Sequence, residues 1–234
     1  MFYLVGLGLC GEQDLTLKSV EALKKCSEIF LENYTSLAPE LNIKKLEKIV
    51  GKTVKKIGRE NVEVGELITL AKTKKIGLIV IGDPLVATTH AELILECKEK
   101  NVDFEVFHNS SILTAVCETG LQAYKFGKTL SIPFHEADSF LKTLSDNQKI
   151  GAHTLCLLDL DLEKNEFLSV KQALNKLKGT KKAVVISLAG CKNQVIKFGD
   201  VNKLKGLVFK PPCSIIVPGK LHFKEEEFLE GFNV

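Results

Sequence analysis

Residues 76–81 read Ile-Gly-Leu-Ile-Val-Ile, a run with no polar side chain on either face of an extended strand. A strand that is apolar on both faces belongs in a parallel sheet with helices packed above and below it. The neighbouring sequence repeats the same theme. Strand-like runs at residues 2–7, 28–31, 53–54 and 102–107 alternate with helical spacing at 15–26, 41–50, 60–73 and 90–100, and Ser110 and Ser111 can cap a further helix reaching about residue 119. After about Tyr124 the rhythm changes. Strands are expected at 128–132, 153–159, 182–188, 194–198 and 214–217, with helices only at 139–147 and 169–177. Consecutive strands with little helix between them pair at least partly antiparallel. The reading is α/β with two domains: residues 1–115 with a mostly parallel sheet, and 116–234 with a mixed α+β sheet.

A chain of 234 residues, 45% hydrophobic and 26% charged, can bury such cores without disulfides or metal. The net charge of +3 is spread along the sequence, so no basic stripe points to nucleic acid. No apolar run approaches the ~18 residues of a membrane span, and Met1-Phe2-Tyr3-Leu4-Val5-Gly6 lacks the charged start of a signal peptide, so a cytoplasmic location without a membrane partner is expected. The seven cysteines form no C-x-x-C pair and sit mostly among apolar neighbours, which suits reduced core thiols.

Two glycine-bearing turns follow predicted strands. The first, Gly6-Leu7-Gly8-Leu9-Cys10-Gly11, fits G-x-G-x-x-G, and Glu32 stands where a ribose-binding acid would be. Glu12-Gln13-Asp14 intervene before the next helix, however, which Asp14 or Thr16 would cap. That is too late for free helix N–H groups to meet a pyrophosphate. A plain glycine turn stays open beside the dinucleotide reading. The second is Gly82-Asp83-Pro84-Leu85-Val86-Ala87-Thr88-Thr89-His90, at the carboxyl end of the 76–81 strand, where parallel sheets bind ligands. Its bland alternative is a capped turn with a solvent-facing aspartate.

Taken together, G-x-G-x with an acid-x-L-T helix start and a later G-D-P loop resemble the tetrapyrrole methylase-type family of S-adenosylmethionine enzymes. Tyr34-Thr35-Ser36-Leu37, residues 82–93, Tyr124-Lys125-Phe126-Gly127-Lys128, His153-Thr154-Leu155, Leu157-Leu158-Asp159 and Pro218-Gly219-Lys220-Leu221-His222 narrow the resemblance to the diphthine synthase group. The resemblance implies two α/β domains with the cofactor in the cleft between them. It implies methyl transfer from S-adenosyl-L-methionine to the amino group of a modified histidine of translation elongation factor 2, a step of diphthamide biosynthesis, without a metal. It carries cofactor contacts onto Leu9, Asp83, Val86, Ser111, Ile112, Leu158, Ala189 and Cys213, and names no catalytic residue. Cys213 departs from the more polar residue expected after Pro211-Pro212. A homodimer is also implied, and Phe134 and Phe140 are expected to be exposed apolar residues consistent with one. Alternatives are a relative acting on a tetrapyrrole or ribosomal RNA, and a nucleotide-binding module without transferase activity.

Other residues invite attention without demanding a role. Asp159-Leu160-Asp161 would share a strand face but lacks a third ligand, so solvated acids are expected. His90 is read as a capping or packing residue, His108, His135 and His222 as structural or surface residues, and Lys72–Lys75 and Glu225-Glu226-Glu227 as solvated charge.

Overall fold

A computed structural model describes residues 1–63 and 65–234. The chain divides into two compact units, Met1–Ile112 and Leu113–Val234.

In the first unit the elements are β1 (Phe2–Gly6), α1 (Leu17–Lys24), β2 (Glu28–Glu32), α2 (Ile43–Val50), β3 (Val54–Ile57), α3 (Arg59–Glu63), α4 (Glu66–Ala71), β4 (Ile76–Val80), α5 (Ala91–Glu99) and β5 (Phe104–Phe107). The five strands form one sheet in the order β3-β2-β4-β1-β5, and every pairing is parallel. Alternation along β1 divides the core: Phe2 and Leu4 join one apolar cluster, Tyr3 and Val5 the other. In β4, Ile76, Leu78, Ile79 and Val80 are all fully buried, each contributing ~1.5–3 kcal/mol of apolar burial. Gly77 leaves that strand open to α1, because a Cβ there would meet Leu23 at 2.8 Å and Cys26 at 3.0 Å.

Local chemistry sets the helix ends. Thr16 accepts from the Ser19 N–H at the start of α1 and Asn42 from the Lys45 N–H at the start of α2. The helix expected over 60–73 is two helices, since Gly65 takes a left-handed conformation (φ 75°) between α3 and α4. Val64 lies outside the described residues.

The second unit opens with the remainder of α6 (Ile112–Ala115) and continues with β6 (Leu130–Ile132), α7 (Ser139–Lys149), β7 (Thr154–Leu158), β8 (Leu160–Asp161), β9 (Glu166–Phe167), α8 (Val170–Lys176), β10 (Lys182–Ser187), β11 (Val195–Asp200), α9 (Val201–Lys205), β12 (Cys213–Val217) and α10 (Phe223–Glu230). Its five-stranded sheet has the order β11-β10-β12-β7-β6, antiparallel except for the β6–β7 pair. The small β8–β9 hairpin, α9 and α10 escape the sequence pattern, each being too short for a clear period. Phe140 is buried and Phe134 half-buried, both in the apolar core of this unit. Their expected exposure is therefore corrected. Five cysteines are free thiols, with Cys26, Cys97 and Cys156 buried. Cys10 and Cys191 are not among them, so the expectation of reduced thiols is limited to these five. No helix among the described residues is long and apolar enough to cross a membrane.

Candidate active site

Strand order alone brings the first-unit candidates together. Leu9, the Asp83–Val86 segment and Ser111 with Ile112 follow β1, β4 and β5, which are adjacent parallel strands, so all lie at the carboxyl ends of neighbours. The β1 and β4 loops are tied directly. The Gly8 N–H donates to the Gly82 carbonyl at 3.2 Å, and the Gly82 N–H returns to the Gly8 carbonyl at 2.7 Å. Both glycines have positive φ, 96° and 79°, conformations that a side chain would strain. Leu9 then follows half-buried, and Val86 is half-buried in the second loop. Ala87 completes that loop at φ 56°, left-handed backbone in a residue with a Cβ.

Asp83 is not a solvent-facing loop tip. It is 6% exposed and accepts three protein hydrogen bonds: from Leu85 N–H (3.0 Å), His108 Nδ1 (2.8 Å) and Asn109 N–H (3.1 Å). Its carboxylate thus ties the β4 loop to the β5 loop. Asn109, which carries no motif, binds the third loop: its side-chain amide donates to the Gly6 carbonyl (3.0 Å) and the Asp14 carbonyl (2.9 Å). The available signal was a polar residue just past a buried strand end, too common to single it out. Ser111 is buried and Ile112, the first residue of α6, half-buried.

The same geometry weighs against the dinucleotide reading. Asp14 accepts from the Cys10 and Gly11 N–H groups at 2.6 and 3.3 Å, so the turn's donors face a carboxylate where a phosphate would need them. Glu32, the would-be ribose acid, is fully buried and is engaged by the N–H groups of Tyr34 and Thr35 and by the Thr35 hydroxyl. Burial raises its pKa, against those hydrogen bonds.

In the second unit the antiparallel pairing does the corresponding work. β12 runs opposite to both β10 and β7, with Ser187 beside Cys213 and Leu157 beside Ser214. The end of β10, the start of β12 and the end of β7 therefore share one end of the sheet, and with them Ala189, Cys213 and Leu158. Leu188 precedes Ala189 at φ 58° and Gly190 follows at φ 75°, so this turn too is held in left-handed backbone. The Leu188 N–H donates to the Pro212 carbonyl at 3.0 Å, tying the turn to the segment before β12, which contains a cis Pro211–Pro212 bond. Cys213 is half-buried, and its thiol donates to the Lys210 carbonyl at 3.1 Å. Burial pushes that thiol's pKa up to about 11, so it is neutral at physiological pH.

Two buried polar groups go beyond the sequence expectations. His90 is 2% exposed, with Nδ1 2.6 Å from the Thr88 hydroxyl and Nε2 3.2 Å from the Tyr34 hydroxyl. Burial lowers its pKa, and the Arg59 charge works in the same direction, against a hydrogen bond to the Pro84 backbone. Glu225, expected to be solvated, is 1% exposed. It accepts from Gln122 N–H (2.9 Å), His222 N–H (2.8 Å), His153 Nε2 (3.1 Å) and the Lys125 ammonium. The network locks the Tyr124-Lys125 segment, β7 and α10 together within the second unit. Asp159 accepts from the N–H groups of Phe134 and Leu160, and Asp161 pairs with Lys164 at 2.8 Å, so both acids serve local structure.

This architecture and its glycine loops define a class. The chain belongs to the tetrapyrrole (corrin/porphyrin) methylase family, whose pattern matches residues 1–205. Within it, the chain is similar to diphthine synthases along its whole length. That of Methanocaldococcus jannaschii is 39% identical, and that of Methanococcus maripaludis strain C6 is 37% identical, each covering 98% of both chains. A crystal structure of diphthine synthase superposes with a TM-score of 0.92 at 36% identity, covering 99% of this chain and 95% of the other.

Proposed function

We propose that the chain is an S-adenosylmethionine-dependent N-methyltransferase of diphthamide biosynthesis, acting on the amino group of the modified histidine of elongation factor 2. One observation carries this reading beyond the family likeness. Gly8 and Gly82 are knitted together at adjacent strand ends, with Asp83 and Asn109 bracing the loops, so that the half-buried Leu9 and Val86 are held at the carboxyl ends of neighbouring strands. A ligand with an adenosine, a sulfonium and a short amino-acid tail suits such loops better than a pyrophosphate does, because Asp14 already occupies the turn's N–H groups. When bound, S-adenosylmethionine supplies an electrophilic methyl on a cationic sulfur, which departs as a neutral thioether.

The chain's own contribution is then mainly positional, holding nucleophile and methyl in line at ~3–3.5 Å. Leu9, Val86, Ser111 and Ile112 of the first unit, and Leu158, Ala189 and Cys213 of the second, are proposed as cofactor contacts. Asp83 shapes the loop, because its oxygens already hold Leu85, His108 and Asn109. The reading extends to a cytoplasmic homodimer. It rests on the family resemblance and on the exposed apolar residues Leu17, Tyr124, Ile150, Val208 and Phe223.

The test is transfer of labelled methyl from S-adenosylmethionine to elongation factor 2 carrying the unmethylated intermediate. S-adenosylhomocysteine at a hundredfold excess over its Kd should add ~2.7 kcal/mol of stability in a melting scan, and NAD none. Stabilisation by NAD alone would overturn the reading. Light scattering should give twice the 25.8 kDa chain mass; the monomer mass would remove the dimer.

A further inference from the structure

The carboxyl edge of the first sheet holds more than cofactor loops. The strand order β3-β2-β4-β1-β5 leaves β3 and β2 beside the loops that follow β4, β1 and β5. Over that neighbouring part three residues converge. Tyr34 follows β2, Arg59 opens α3 just after β3, and His90 ends the same loop that carries Asp83 and Val86. The Arg59 guanidinium lies 5.1 Å over the Tyr34 ring. The Tyr34 hydroxyl is 3.2 Å from His90 Nε2, and His90 Nδ1 is 2.6 Å from the Thr88 hydroxyl. Glu32, buried at the end of β2, accepts from the Tyr34 and Thr35 N–H groups and so fixes the turn that aims the tyrosine. Tyr34 is half-buried while His90 is inaccessible, so the phenol is the outer end of the pair.

This reading rests on the methyltransferase assignment, and it supplies what that chemistry lacks. An amine reaches a protein site largely as ammonium, and must lose a proton before its lone pair can attack. We propose that the Tyr34 hydroxyl is the catalytic group that takes this proton from the acceptor amine, and that His90 is the positioning residue that receives the hydroxyl's own proton. An ammonium N–H bond breaks toward the Tyr34 oxygen as the Tyr34 O–H bond breaks toward His90 Nε2. The amine keeps the electron pair and the imidazole becomes imidazolium, with its Nδ1 proton on Thr88. The freed lone pair forms the new N–C bond while the C–S pair returns to sulfur. His90 afterwards gives its proton back through Tyr34 to solvent.

Among the described residues, the groups facing the imidazole are Tyr34, Thr88, the Pro84 backbone and the Arg59 charge, with Glu32 behind the tyrosine turn. Burial and Arg59 lower the ring's pKa, so at rest Nε2 holds a free lone pair toward the Tyr34 hydroxyl and the imidazolium is only a transient holder of the proton.

The experiment compares wild type with Tyr34→Phe in labelled-methyl transfer to elongation factor 2 carrying the unmethylated intermediate, from pH 6 to 10. Tyr34→Phe should lower kcat on the order of 10²-fold at pH 7, within the range for loss of a general base. Its melting shift with S-adenosylhomocysteine should be unchanged. The deficit should shrink as pH rises, because hydroxide then deprotonates the amine without help. His90→Gln should show the same narrowing; where it fails to fold, Tyr34→Phe decides alone. A Tyr34→Phe kcat within twofold of wild type, or a loss equal at every pH, overturns the proposal. Absence of any S-adenosylhomocysteine shift in the wild type would instead remove the assignment beneath it.

Discussion

Replacing Glu225 should cost the protein a large part of its stability, although the residue stands in an acidic run of the kind that usually faces water. Its side chain is 1% exposed and takes four donors, namely the N–H groups of Gln122 and His222, His153 Nε2 and the Lys125 ammonium. The tautomer at His153 follows from its other nitrogen. Nδ1 accepts from the Gly219 N–H at 2.9 Å, so Nε2 carries the proton given to Glu225. Burial by itself would raise the Glu225 pKa, but the hydrogen bonds together with Lys125 bring it down to about 2. Set against ~4.3 for an unfolded glutamate, that gap is worth ~3 kcal/mol at neutral pH. Breaking a buried ion pair by removing one partner gives ~3–5 kcal/mol by an independent route.

Glu225→Gln keeps the shape but turns an amide N–H₂ toward groups that are themselves donors, so it should recover little. For a chain of this size ~3 kcal/mol lowers Tm by ~6–12 °C. The sign in acid is fixed. A depressed folded pKa gives stability that is complete above ~4.3 and disappears as pH falls toward about 2. The difference between wild type and Glu225→Gln in circular-dichroism melts should therefore close between pH 4.5 and 2. A neutral-pH Tm within ~2 °C of wild type, or a difference that persists at pH 2, would refute the reasoning.

Gly8→Ala should disrupt the first loop, since a Cβ there would stand 2.4 Å from Asp14 Cβ at φ 96°, and isothermal titration should show at least a tenfold loss of S-adenosylhomocysteine affinity. Ala87→Gly, in contrast, relieves left-handed backbone at φ 56° and should raise stability by ~0.5–1 kcal/mol, seen as a Tm higher by ~1–4 °C. Iodoacetamide at pH 8 should label exposed Cys117 long before Cys156, which is buried with its pKa pushed up to about 12; equal labelling by mass spectrometry would contradict that placement.

How far the sequence reached depended on the range of the interaction. Elements stabilised by their own pattern were legible. The doubly apolar run at 76–81 is the central strand β4, and the alternation around it is a parallel sheet, because burial on both faces writes itself into consecutive residues. The late start of α1 was readable too, since Thr16 caps it through Ser19, only three residues away. What depends on partners far apart in sequence was not. The sequence offered Asp83 as a cofactor contact or a capped surface turn, and nothing local shows that His108 and Asn109, 25 and 26 residues on, lie on its carboxylate. Glu225 read as solvated because nothing nearby in sequence reveals that Lys125 lies 100 residues away on its carboxylate. The Tyr34–His90 pair spans 56 residues for the same reason. Hydrophobic periodicity is a property of each segment, and so belongs to the sequence. The burial and protonation of a polar side chain are set by whichever groups the folded sheet brings beside it, and only the tertiary structure decides those.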